Sequence, residues 1–379
     1  MLFDYETLKL IWWVFIGVLL IGFAIADGMD MGVGILLPLI GKSDMRRRIM
    51  INTVGPHWDG NQVWLITAGG AIFAAWPMVY AAAFSGFYFA MLLVLFALFF
   101  RPLAFDYRSK LENPAWRRNW DRGLFIGSFV PALVFGVAFG NLLLGVPFHL
   151  DDFMRPWYDG HFWQLFHPFA LLAGLVSLAM LTMHGAIWLQ MRTTGELAAD
   201  AATWAQRAGL VTAGLFALGG LWVALGIDGH RITQIGSANE ILTPLGKQVE
   251  VAAGAWFDTY KQYPGTIAFP LLGLGGALLT VWLSRLGRAG LGFLTSSLAL
   301  AGIVLTAGVS LFPFILPSST HPNVGLTIWD ATSSPGTLNV MFWATVIFLP
   351  IVIGYTLWNY RKMRGKVTEA EIEGRFSAY

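Results

Sequence analysis

Three carboxylates and a histidine fall within the first sixty residues, in sequence apolar enough to lie in a lipid bilayer. The first apolar run is interrupted by Ala26-Asp27-Gly28-Met29-Asp30-Met31-Gly32, the second by residues 56–64, which read PHWDGNQVW and carry His57, Asp59, Asn61, Gln62 and Trp64. Ionisable side chains at membrane depth are costly, so they are buried in protein and often functional. Carboxylates and imidazole pass protons well, and the chemistry open to this set is a proton relay or the lining of a redox cofactor. The plainer reading is a hydrogen-bond network that pins helices together.

Asp27 and Asp30 are three apart and share a helix face. Gly28, Gly32 and Gly34 beside them keep that face small enough for another helix backbone to approach. At 100° per residue, His57, Asn61 and Trp64 share a sector, while Asp59 and Gln62 lie on another side. Polar groups on most of the circumference require enclosure by protein, supplied by this chain's other helices or by a partner subunit. Asp106 reads either as the mouth of a proton path leading to Asp59 and Asp27, or as a surface partner of Arg108 or Lys110. A membrane b-type haem needs histidines on facing helices, and only His57 and His184 lie inside apolar runs; one pair alone is thin support for such a site. Gly136 and Gly140 form a small-xxx-small pair, read as packing.

These residues need helices to hold them. The chain has 379 residues, 56% hydrophobic and 12% charged, about half the charge density of a soluble domain. With roughly 20 apolar residues per crossing, spans fall near 8–38, 50–75, 78–100, 123–146, 163–191, 206–227, 266–284, 289–312 and 338–360. Nine spans place every dense basic cluster (42–48, 101–122, 192–207, 285–288 and 361–375, the last including Arg375) on one side. Only Lys9, Arg155, Arg231, Lys247 and Lys261 fall on the other. The expectation is an all-α integral membrane protein, one polytopic domain over 1–379, with the N-terminus periplasmic and the C-terminus cytoplasmic. Asp4 and Glu6 precede the first apolar run without a basic n-region, so that run reads as a retained span, not a secretory signal. The chain has no cysteine, which excludes disulfides and thiolate chemistry. No hydrolytic triad, phosphate-cradling glycine loop or nucleic-acid-type basic patch is present. Loop residues 316–319 and 329–334 are hydroxyl-rich and read as a cap on the outer end of the bundle.

Taken together, the motifs closely resemble subunit II of the cytochrome bd-type quinol oxidases of proteobacteria. The match is carried by Asp27-Gly28-Met29-Asp30-Met31-Gly32-Val33-Gly34, by residues 56–64 followed by Leu65-Ile66-Thr67-Ala68-Gly69-Gly70, and by Phe99-Phe100-Arg101-Pro102. Phe105-Asp106-Tyr107-Arg108, Val137-Ala138-Phe139-Gly140-Asn141, Pro317-Ser318-Ser319 and residues 329–334 extend it over the whole chain. The resemblance implies two four-helix bundles plus a peripheral helix, paired pseudo-symmetrically with a haem-bearing subunit I and often joined by a small single-span subunit. It implies a complex in the bacterial inner membrane that oxidises quinol and reduces dioxygen to water with protons from the cytoplasm. Haem b and haem d would be ligated by the partner. This chain would carry no catalytic residue and no metal site, and in some members it holds a structural quinone. By the same resemblance Asp27, Asp59 and Asp106 are proton-path residues, Asp30, His57, Asn61 and Gln62 support them, and Trp64 stands beside the oxygen entrance.

Two other readings remain open. A stand-alone proton-coupled secondary transporter would use the buried carboxylates as coupling sites. A purely structural scaffold would use them to stabilise the partner's haems.

Overall fold

In the computed structural model, which describes residues 2–373, the apolar runs fold into long helices joined by short connections. Arg375 lies outside the described residues. Helix α1 (Tyr5–Ile40) is unbroken for 36 residues, capped by Asp4, whose carboxylate accepts from the Thr7 amide. At 1.5 Å per residue it exceeds a bilayer core, as the length of its apolar run implied. Its glycine-bearing half is the more deeply buried, from Asp27 through Leu37 without interruption.

The expected second span is two helices. Helix α2 (Asp44–Val54) ends at a turn through Gly55, Pro56 and His57, and α3 (Trp58–Ala75) starts beyond it. His57 is therefore the N-cap of α3, not part of a continuous helix, because Pro56 removes a backbone donor and the ladder restarts after it. The Trp76-Pro77 boundary is also more than a tight turn. It starts α4 (Pro77–Gly86), bent 120° from α3, so the third crossing begins ten residues later than its hydropathy suggests. That crossing is made by α5 (Tyr88–Leu98) and α6 (Phe100–Tyr107).

The remaining long helices are α7 (Pro114–Leu144), α8 (Pro168–Arg192) and α9 (Gly195–Gly226), followed after the short α10 (Asp258–Gln262) by α11 (Ala268–Arg285), α12 (Ala289–Leu311) and α13 (Pro335–Lys362). A last short helix, α14 (Glu369–Glu373), closes the described chain. Among the described residues eight helices are long and apolar enough to cross a membrane, or nine if the bent α3–α4 pair is one crossing. Helix α8 is the most enclosed, packed on α1, α7, α9 and α12, whereas α13 touches chiefly α1 and α3 and buries only Leu338.

The end holding the N-terminus is capped by three two-stranded antiparallel sheets: β1 (Phe148–Leu150) with β2 (Pro156–Tyr158), β3 (Asp228–Gln234) with β4 (Gln248–Ala253), and β5 (Phe314–Leu316) with β6 (Leu326–Thr327). The hydroxyl-rich loops stitch this cap down. Ser333 donates its amide to the Ala75 carbonyl (2.8 Å) and its hydroxyl to that of Ala74. Lys9, fully buried, donates to the carbonyls of Ala238 (2.8 Å), Glu240 (3.2 Å) and Trp329 (2.8 Å). Lys247 and Asp330 form a buried ion pair at 2.8 Å; burial lowers the Lys247 pKa against the pull of that carboxylate.

Candidate buried carboxylate site

Asp27 and Asp30 lie on the buried half of α1 with essentially no solvent contact. Asp27 is held by Arg101 at the start of α6: Nη1 donates to Oδ2 (2.8 Å) and Nη2 to Oδ1, a parallel two-bond fork. Gly127 of α7 opens the slot for that arginine, since a Cβ there would stand 2.9 Å from its Cγ. The same Nη2 lies 4.0 Å from Asp30 Oδ2. Asp30 takes its hydrogen bond from Asn61 of α3, whose Nδ2 donates to Oδ2 (2.8 Å), and Asn61 Oδ1 accepts from the Tyr360 hydroxyl (2.6 Å). One guanidinium and one amide–phenol chain thus serve two carboxylates one helical turn apart.

His57 is buried beside this chain, its ring edge-on to Tyr360 (centroids 4.8 Å) and Trp188 (5.9 Å), and among the described residues neither ring nitrogen has a hydrogen-bond partner. Asp59 and Asp106 are not part of the cluster. Both are exposed on the surface of this chain, Asp59 on α3 and Asp106 on α6, and Gln62 is half-buried. The polar girdle expected around residues 56–64 is thus closed by this chain only on the side of His57 and Asn61. Arg108, the expected surface partner of Asp106, turns inward to Asp121 (Nε to Oδ1, 2.5 Å) and Asp44 (2.8 Å), and Arg47 joins Asp121 at 3.0 Å. Trp64 is half-buried with its six-membered ring against Gly22, where any Cβ would collide with it.

Of the two histidines weighed as a haem pair, His184 is held by other groups. His184 Nε2 donates to the Ile25 carbonyl (3.0 Å), Nδ1 lies 2.7 Å from Ser296 Oγ, and Phe293 stacks on the ring at 4.7 Å. The one large cavity described, about 870 Å³, lies elsewhere, between α1, α7, α8, α9, α11 and α12, and neither His57 nor His184 lines it. Its walls are almost wholly apolar (Phe23, Phe135, Phe216, Ile303), with Tyr260, Lys261 and Ser310 at one end. No histidine lines it.

Sequence reasoning missed Arg101 as the counter-ion of Asp27, although a lone charge closing the 87–100 apolar run was a signal. It missed Tyr360 altogether. That residue is 299 positions from Asn61, and no local pattern marks it.

The sequence profile of the cytochrome bd terminal oxidase subunit II family matches residues 8–363. The chain belongs to that family. It is 57% identical over 370 residues to the cytochrome bd-I ubiquinol oxidase subunit 2 of Escherichia coli (strain K12), covering 98% of each chain. It is 54% identical over 364 residues to a probable cytochrome oxidase subunit 2 of Haemophilus influenzae, covering 96% of each. To the cytochrome bd ubiquinol oxidase subunit 2 of Bacillus subtilis it is 32% identical over 367 residues, covering 95% of this chain and 97% of that one. The fold resembles a chain in the structure of bd oxidase from Geobacillus thermodenitrificans, with TM-score 0.68 at 15% identity over 94% of this chain and 98% of that one. A subunit II protein of this family is one part of a membrane oxidoreductase, and the run of apolar helices makes it a multi-pass protein of the bacterial inner membrane.

Proposed function

We propose that this chain is the subunit of a quinol oxidase that ligates no haem and that delivers protons and admits oxygen to a haem-bearing subunit I, where dioxygen is reduced to water. The observation that carries the reading is Asp59. An exposed carboxylate on an apolar helix, flanked on α3 by exposed Ile66 and Phe73, needs a protein surface over it in the membrane. A second subunit seated on that face would enclose Asp59 and leave Asp106 at the mouth of the route, in the arginine-rich end. Basic residues at that end favour a cytoplasmic assignment, with nine crossings arranged as two four-helix bundles and α13 peripheral. Trp64, whose neighbour Leu65 lines the apolar cavity, is assigned to the oxygen route, and the cavity to a structural quinone. Haem b and haem d then sit in the partner, and a small single-span subunit completes the complex.

The fork between Asp27 and Arg101 favours a second reading at one position. A carboxylate with both oxygens held by a guanidinium is better suited to fixing helices than to releasing protons, so Asp27 fits the scaffold role. The experiment is Asp59→Asn in the assembled, haem-loaded complex. Quinol oxidase turnover is expected to collapse with haem content intact. Normal turnover would remove the proton role, and loss of haem would favour scaffolding.

A further inference from the structure

Helix α13 is exposed along nearly its whole length, yet its last turn sends one side chain into the buried site. Tyr360 reaches Asn61 with its hydroxyl while its ring stands edge-on to His57 and Trp188. The turn is tied in place from α8. Arg192 Nη2 donates to the Met363 carbonyl (2.5 Å), the Val367 amide donates to the Arg192 carbonyl (2.8 Å), and the guanidinium lies over the Trp188 ring at 5.2 Å. Val367 and Ile372 then pack onto the cluster formed by Met50, Val54, Leu189 and Leu197.

A carboxamide has one accepting and one donating end. With the Tyr360 hydroxyl donating to Asn61 Oδ1, the amino end is aimed at Asp30 Oδ2. That leaves Asp30 Oδ1, buried and without a hydrogen-bond partner among the described residues, as the oxygen able to take up or release a proton. We propose that Tyr360 is a positioning residue for Asp30: through Asn61 it occupies one carboxylate oxygen and leaves proton exchange to the other. The inference rests on the reading of this chain as a proton-delivering oxidase subunit.

Tyr360→Phe in the complete complex keeps the ring against His57 and Trp188 and removes only the hydroxyl. Turnover at saturating quinol is expected to fall about three- to tenfold, the size of one lost hydrogen bond, with KM and haem content unchanged. The infrared carboxyl band that disappears in Asp30→Asn should shift in Tyr360→Phe. Asn61→Ala should shift it equally, and the double variant should be no worse than Asn61→Ala alone. An unmoved band with unchanged turnover overturns the proposal, as do additive losses in the double variant. Loss of haem in both single variants overturns it in favour of packing. Should Asp30→Asn itself turn over normally with its haems in place, proton delivery through Asp30 fails, while the band shift still reads the positioning.

Discussion

Gly32 of α1 and Gly185 of α8 meet backbone to backbone: a Cβ on Gly32 would stand 2.7 Å from the Gly185 Cα and would collide with the Leu181 carbonyl oxygen. Between helices in lipid, where burial gives no hydrophobic advantage, such close approach is a main source of association. It also sets the depth of Asp30, half a turn away on the same helix. Gly185→Ala must push the helices apart or strain both, at about 1–3 kcal/mol. The expected outcome is a lower melting temperature and a lower yield of haem-loaded complex, read by thermal unfolding of the purified oxidase. An unchanged melt would mean that the α1–α8 contact yields freely.

The Arg101–Asp27 fork calls for a different comparison. Removing one partner of a buried ion pair strands the other charge, at a cost of about 3–5 kcal/mol, whereas replacing both is often near neutral. Arg101→Leu should therefore cripple assembly, and Asp27→Asn with Arg101→Leu should recover much of it. Arg101→Lys should fall short, because an ammonium cannot reproduce the two-bond fork. Haem content and turnover of the recovered double variant then decide the role of Asp27. Restored haem with restored turnover makes it structural, and restored haem without turnover gives it a part in proton delivery.

The sequence was most legible where a pattern is local. Long apolar runs fix most crossings, and Asp27 with Asp30 at spacing three correctly share a buried face. Residues 56–64 show where this fails. Pro56 breaks the helix, so a wheel drawn through His57 overstates the continuity of the polar girdle, and the half carrying Asp59 is left open. Hydropathy cannot see the 120° bend at Trp76-Pro77, because α4 is as apolar as a spanning segment while lying across the end of one. Pairings such as Arg101 with Asp27 or Tyr360 with Asn61 depend on which helices become neighbours, and one sequence without partners contains no such information.

At the N-terminal end, His230 of β3 stacks on Trp256 (5.4 Å), packs edgewise on Phe314 (5.7 Å), and donates from Nε2 to the Ser318 carbonyl (3.0 Å). Burial lowers its pKa below the usual 6.5, against the opposing effect of Ser318. In the unfolded chain this imidazole takes its proton near pH 6.5, while the folded one remains neutral to lower pH. The unfolded state then binds more protons, so stability contributed by His230 is full above 6.5 and declines as pH drops through that value towards the folded pKa. Protection factors of the β3–β4 amides, which divide out the intrinsic pH dependence of exchange, should fall between pH 7 and pH 5. His230→Gln, which is uncharged throughout, should remove that dependence, and its persistence would point to another group.

The apolar cavity gives the last prediction. At about 870 Å³ it lies within the size range of ligand pockets. Its polar end is ordered: the Tyr260 hydroxyl donates to the Thr306 carbonyl (3.1 Å) and lies 3.1 Å from Ser310 Oγ. Ala307→Trp on α12 would fill the space beside that end without touching the carboxylate site. If the cavity holds a structural quinone, solvent extraction of the purified variant should recover at least several-fold less quinone per complex. Turnover with added quinol should hold, since the bound molecule is not the one being oxidised, while the melting temperature should drop because a ligand that binds only the folded state no longer stabilises it. An unchanged quinone ratio would mean that the cavity is filled by lipid chains, and a loss of turnover in proportion to quinone would make the bound molecule part of the electron path.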